Sequence, residues 1–165
     1  MKLAFLFTGL VLSSTFAWAD DWPQFRGPDG DGHAQGDGYV TTWSQEENVK
    51  WKHKMPAPGN GSPIVSNGCV LVQCAEDGGK KRSLLCINRG DGKLKWKKTV
   101  NYDKPDTTHQ TNPHCGSTPC TDGQCIVAWF GSAGLYCYTF DGEQLWKLDL
   151  GEFKHIWGSG SSPNV

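Results

Sequence analysis

Apolar and polar residues alternate along much of the chain with a period of two. Val49 and Trp51 stand between Lys50 and Lys52, and Leu94 and Trp96 between Lys93, Lys95 and Lys97. That is the period of a strand with one buried face. The run Cys69-Val70-Leu71-Val72 is more continuously apolar, as a strand covered on both faces is. Turn residues separate these runs. Asn67-Gly68 is the strongest two-residue hairpin signal, and Asp91-Gly92, Asp122-Gly123 and Asp141-Gly142 punctuate later runs. The pattern predicts strands over 48–54, 62–66, 69–75, 83–88 and 93–100, then over 117–121, 124–130, 135–140 and 143–150. Glu76 to Arg82 reads as an exposed turn. No helical period of any length appears after residue 19.

These elements occur in the same order twice. Gly61-Ser62-Pro63, Asn67-Gly68, Leu84-Leu85-Cys86-Ile87 and Asp91-Gly92…Trp96 are matched by Gly116-Ser117-Thr118-Pro119, Asp122-Gly123, Leu135-Tyr136-Cys137-Tyr138 and Asp141-Gly142…Trp146. A third copy opens at Gly160-Ser161-Ser162-Pro163. Trp51, Trp96 and Trp146 are 45 and 50 residues apart. The longer interval carries a polar, proline-containing run, Asn101 to His114, which reads as a loop insertion. A core period near 45 residues is that of four-stranded propeller blades. The expected fold is all-β: a β-propeller of four-stranded antiparallel blades with about two complete blades present, at 61–100 and 116–151. An orphan outer strand at 48–54 precedes them, and 160–165 starts a further blade. Propellers have about four to eight blades. The sequence is therefore expected to be a fragment of a longer propeller, with self-association of several copies as the alternative.

The segment before the repeats has different chemistry. Lys2, the apolar run Leu3 to Leu12 and Ala17-Trp18-Ala19 make residues 1–19 a secretory signal peptide, which places the mature start at Asp20 and the protein in a periplasm or outside the cell. The apolar run is too short to span a membrane. No cysteine follows the cleavage site to carry a lipid anchor. Residues 20–47 read as an extended N-terminal segment held across the outside of the domain by the rings of Trp22 and Phe25. Asp29, Asp31 and Asp37 do not meet the twelve-residue calcium-loop pattern and read as solvated turn. With 16 basic and 17 acidic residues, net charge −1, the chain lacks the basic footprint of nucleic-acid binding.

Seven cysteines stand at 69, 74, 86, 115, 120, 125 and 137. An oxidising compartment permits disulfides, and the odd count leaves at least one thiol over in a monomer. Cys86 and Cys137 occupy matching strand positions and read as small buried hydrophobes. Cys115, Cys120 and Cys125 lack metal or haem spacing; a disulfide among these three is expected, with the partners left open. His109 and His114 flank Pro113 in the inserted loop and match no zinc spacing. Gly158-Ser159-Gly160-Ser161-Ser162 lacks both the Gly-Lys-Ser/Thr ending of a phosphate loop and the Gly-x-Ser-x-Gly of a nucleophile elbow, and reads as the approach to an inner strand. No acid, base and nucleophile set assembles, so no catalytic, cofactor-binding or metal residue is assigned.

The Asp-Gly-x-x-x-Trp endings and Ser-Pro openings resemble the PQQ-type β-propeller repeat family. Its blades end in Ala-x-Asp-x-x-Thr-Gly-x-x-x-Trp, and Cys86, Asn88, Asp91, Gly92 and Trp96 stand at those places. In the second copy Asp141, Gly142 and Trp146 match across a turn one residue shorter. The opening Trp22-Pro-Gln-Phe-Arg-Gly-Pro is similar to the start of exported bacterial proteins of this class. The resemblance implies that Gly92, Trp96, Gly142 and Trp146 dock blade on blade. It implies a binding or scaffold module for a protein or small-molecule partner. The alternative it implies is a piece of a quinoprotein oxidoreductase, holding PQQ with calcium in further blades. The adjacent-cysteine pair frequent in those enzymes is missing here, as is the lipid-bearing cysteine of the related outer-membrane assembly factor.

Overall fold

The computed structural model of the chain describes residues 21–104 and 106–165. The expected signal peptide lies outside them. The fold is all-β. Among the described residues eight strands form two four-stranded antiparallel sheets, each in chain order. The first sheet contains β1 (Ile64–Ser66), β2 (Cys69–Glu76), β3 (Lys81–Asn88) and β4 (Leu94–Asn101). The second contains β5 (Cys120–Thr121), β6 (Cys125–Trp129), β7 (Leu135–Thr139) and β8 (Gln144–Leu148). The Asn-Gly, Asp-Gly and Gly-Asp-Gly signals all fall on hairpins between consecutive strands.

Register assigns the faces. Leu71 pairs with Ile64 on one side and Cys86 on the other, and Cys86 pairs with Trp96. These side chains share one face of the first sheet. They pack with Ile126, Ala128, Phe130 and Tyr138 of the second sheet into the main core. The opposite face of the first sheet presents Cys74, Leu85 and Ile87, covered by Trp51, Met55 and Ala57. The two sheets thus stack face to face like successive propeller blades.

A second set of contacts joins the innermost chain segments. The Ser62 amide donates to Thr118 Oγ1 at 2.9 Å, and the Thr118 amide donates to Ser162 Oγ at 3.0 Å. Ser117 Oγ donates to the Ser161 carbonyl at 2.7 Å. The three Ser-Pro or Thr-Pro openings therefore lie side by side, each holding the next.

Three expectations change. Residues 48–54, expected as a strand, form no ladder among the described residues. No neighbouring strand offers them an edge, and side chains hold them instead. The N-terminal segment, exposed over residues 28–48, is held at its start by backbone rather than by both rings. Trp22 exchanges backbone hydrogen bonds with Val65 on β1 (2.7 and 2.9 Å), and Thr121 of β5 donates to the Pro23 carbonyl at 2.9 Å. It straps the free edges of the two short inner strands, which would otherwise present unpaired backbone groups. Trp22 packs over Gly27, but Phe25 is 46% exposed and anchors nothing.

Arg82, expected in an exposed turn, is the largest fully buried side chain, at 2% exposure. The turn is shorter than expected, a single 3-10 turn over Asp77–Gly79, and β3 begins at Lys81. The guanidinium donates to the Gly79 carbonyl (2.9 Å), to the Phe130 carbonyl of the second sheet (2.5 Å) and to Asp106 Oδ2 of the inserted loop (2.5 Å). It also lies over the Tyr102 ring, 4.9 Å from the centroid. Burying a charge is tolerated only when it is paired and hydrogen-bonded this fully.

Removing the carboxylate should therefore be costly. Asp106→Ala is expected to lose about 3 kcal/mol by urea denaturation, because it strands a buried charge. The double change Arg82→Met with Asp106→Leu should lose less than Asp106→Ala alone. Equal or greater loss in the double variant would show that shape, not charge pairing, governs this corner.

Candidate functional site

Of the residues expected to dock blade on blade, Trp96 of the first sheet meets Gly142 of the second, while Gly92 meets Trp51, which belongs to neither sheet. The Asp91-Gly92 turn places Gly92 at φ 74°, and the Asp141-Gly142 turn places Gly142 at φ 84°. L-residues with a side chain avoid that region. The Trp51 ring lies on Gly92, so close that an added Cβ would sit 2.6 Å from it. The Trp96 ring lies on Gly142, where an added Cβ would sit 3.0 Å from the ring and 2.8 Å from Lys98 Cε. Each indole N–H is satisfied by a carbonyl just before the turn: Trp51 Nε1 by Arg89 and Trp96 Nε1 by Phe140, both at 2.8 Å. His53 adds a ring-nitrogen contact to the Gly92 carbonyl at 2.9 Å. Thus residues 48–54 make the contact that an outer strand makes, without a sheet of their own.

The third member of the series has no glycine beneath it. Trp146 is 44% exposed, and all of β8 is exposed. Cys125, Val127, Trp129, Trp146 and Leu148 share that open face by register. The equivalent face of the first sheet is the one buried in the main core.

At the other end of the sheets the inserted loop and residues 149–158 clasp each other. Lys104 donates to Glu152 at 2.8 Å, Asn112 donates to the Trp157 carbonyl at 3.1 Å, and His109 packs on the Trp157 ring with centroids 5.0 Å apart. Phe153 meets Trp129 edge-on at 5.2 Å. Between the two segments is an open cavity of about 470 Å³, lined by Tyr102, Asp106, Phe153 and His155 among others. Glu152, held below the usual carboxylate range by its hydrogen bond to Lys104, also faces Lys154.

The other sequence candidates are dispersed. His109 bonds Thr111, while His114 contacts the Asp106 carbonyl and packs on Gly79. Asp31 accepts its hydrogen bond from the His33 amide, a local turn. Among the described residues no three His, Cys, Asp or Glu side chains converge to hold a metal ion. Ser161 and Ser162 are engaged with the Ser117–Thr118 segment, as the approach to an inner strand should be. Cys115 donates to the Cys74 carbonyl at 3.1 Å, a partner outside the expected trio. Arg82 escaped notice in the sequence; its single clue is an arginine just before an apolar run.

The docking contacts predict unequal sensitivities at Trp96, Gly142 and Trp146. Trp96→Ala should cost about 3 kcal/mol, as truncation of a packed aromatic does. Gly142→Ala should cost about 1–2 kcal/mol from the left-handed backbone alone. Trp146→Ala should stay within about 0.5 kcal/mol, as exposed changes do. Urea midpoints of the three variants check this; a Trp146 loss equal to that of Trp96 would mean its ring is covered in solution.

No family model matches the chain, and no curated protein matches it in sequence. Among solved structures it is similar to BamB from Moraxella catarrhalis, at 13% identity and a TM-score of 0.43. The similarity covers 61% of this chain and 26% of that one, so the chain spans about a quarter of that structure's length. No helix among the described residues is long and apolar enough to cross a membrane.

Proposed function

We propose that the chain is part of an exported PQQ-type propeller that serves as a binding scaffold in a periplasm or outside the cell. The observation that carries this is the indole-on-glycine contact, made twice and offered a third time by Trp146. The open face of the second sheet accepts a further four-stranded sheet bearing its own left-handed glycine turn. A second copy of this chain fits that face poorly, because Trp51 and Trp96 already occupy Gly92 and Gly142. A rigid stack of blades with a long insertion at one end suits a scaffold whose loops contact the partner. The intact mass of the protein from its native source tests the reading. A mass well above 18.1 kDa, the mass of these 165 residues, is expected. A mass equal to that of residues 20–165 would overturn it and make self-association the explanation for the open face.

The resemblance also supports a second reading, a quinoprotein oxidoreductase whose active site is built by further blades. A ligand bound by the native state must stabilise it. At about a hundred times its dissociation constant, PQQ with calcium would add roughly 2.7 kcal/mol to a protein that binds it. The scaffold reading expects the melting temperature of the native protein to stay unchanged. A clear rise, together with dehydrogenase activity, would replace it with the enzyme.

A further inference from the structure

Four of the seven cysteines form a pattern that repeats with the blades. In the first sheet Leu71 pairs with Cys86, and Cys69 stands two residues along β2 on the same face. In the second sheet Val127 pairs with Cys137, and Cys125 stands two residues along β6 on the same face. The two pairs are superimposable by register: middle strand to third strand, one diagonal step. Each pair also has the docking tryptophan beside it, Trp96 opposite Cys86 and Trp146 opposite Cys137. Directly after each of these cysteines the outer ladder shifts register, in both sheets.

The thiols of each pair act on one another. After burial, the hydrogen bond to the Cys69 thiol is what raises Cys86, and the hydrogen bond to the Cys125 thiol is what raises Cys137. Lys95 Nζ donates to Cys69 Sγ at 3.3 Å, so a cation stands ready beside one member of the first pair. Of the three remaining cysteines, Cys115 faces the Cys74 backbone carbonyl. Cys120 pairs with Val127 on the other side of β6, so it also stands one diagonal step from Cys125, but the thiol that hydrogen-bonds Cys125 is that of Cys137. All seven are free thiols in this structure.

We propose that Cys69–Cys86 and Cys125–Cys137 are dithiol sites, one per blade, which close to two diagonal cross-strand disulfides by exchange with a small or protein disulfide. In each exchange one cysteine thiolate attacks the external disulfide R–S–S–R. A mixed disulfide forms and one R–SH leaves with the proton the cysteine lost. The second cysteine then attacks the mixed disulfide at the protein sulfur. The intramolecular S–S bond forms, and the second R–SH leaves with the second proton. The protein is oxidised by two electrons per pair, and the external disulfide is reduced to two thiols.

Two physical facts shape the chemistry. Burial, with the neighbouring thiol adding, pushes Cys86 and Cys137 up to about 12. Packed thiols therefore keep their protons at neutral pH, and exchange proceeds through the thiolate. Closure belongs to folding, when each hairpin has formed but the sheets have not yet stacked. Diagonal neighbours have Cα atoms about 7–8 Å apart, beyond the roughly 7 Å that a disulfide spans, so each bond closes only if the backbone moves. The bonds close with some backbone adjustment and are correspondingly easy to reduce, as strained disulfides are.

The test refolds the reduced, denatured protein in a buffer of reduced and oxidised glutathione. It then alkylates the remaining thiols under denaturing conditions and maps the peptides by mass. The expected result is two linked peptide pairs, Cys69 with Cys86 and Cys125 with Cys137, while Cys74, Cys115 and Cys120 are alkylated. Cys86→Ser should leave only the second link, and Cys137→Ser only the first. Complete alkylation of all seven, or links through Cys74, Cys115 or Cys120, would overturn the assignment. The glutathione buffer makes this result independent of where the protein resides. The same mapping on protein from its native source would then test export separately: finding there the pairs already formed supports an oxidising compartment, and finding them reduced counts against the export reading alone.

Discussion

An indole ring lying on a turn that has no Cβ is the contact on which the stack depends. It requires two things of one residue: a left-handed backbone, at φ 74° and 84°, and space for a ring within van der Waals contact. Glycine alone meets both. The ring then brings an N–H to a fixed place, where the carbonyl of Arg89 or Phe140 accepts it. The second turn is one residue shorter than the first, yet the hydrogen-bond length is unchanged. What is preserved is therefore the geometry of ring on turn rather than the count of residues. That contact fixes how two sheets face each other, and the apolar layer of Ile64, Leu71, Leu84, Ile126, Ala128 and Phe130 fills the space it defines.

Polar groups must cross the same interface, and they do so at its two ends. At the inner end the Ser-Pro and Thr-Pro openings exchange single hydrogen bonds in series. At the other end Arg82 reaches from the first sheet to a carbonyl of the second and to Asp106 of the insertion. Lengthening a loop costs little entropy, because the cost grows only with the logarithm of its length. An insertion between two blades is thus tolerated if something fixes it. Here a buried cation is one of the fixing groups, beside the clasp with residues 149–158, and the insertion in turn supplies the carboxylate that makes its burial tolerable.

Strand order and hairpins were legible because both are local. Asn67-Gly68, Asp122-Gly123 and Asp141-Gly142 carry their turn geometry in two letters. The features that escaped are those whose cause lies far along the chain. Two of the three acceptors of Arg82 are 24 and 48 residues away. Phe25 looked like an anchor, yet the backbone of Trp22 and Pro23 does the anchoring, and no side-chain pattern announces that. The cysteines show the difference most clearly. Cys86 and Cys137 were visibly equivalent, because both follow an apolar pair in matching strands. Their partners were not, since hairpins of different length separate Cys69 from Cys86 and Cys125 from Cys137. Only the ladder register shows both to be one diagonal step.

A repeat protein places equivalent residues in inequivalent surroundings, and this molecule shows the consequence within two sheets. Cys69 and Cys125 hold the same register, but Cys69 is buried beneath the second sheet while Cys125 is partly open. Trp96 and Trp146 hold the same register, but only Trp96 has a turn to sit on. Residues of one repeat are shaped for burial, whether or not a neighbour is present. An apolar face on a terminal sheet is therefore not a binding surface merely because it is apolar. What makes the open face here specific is that its bare side chain, Trp146, has two worked examples in the same molecule. These define the shape of what must cover it: a left-handed glycine, a carbonyl within hydrogen-bonding reach of the indole, and an apolar sheet face behind them.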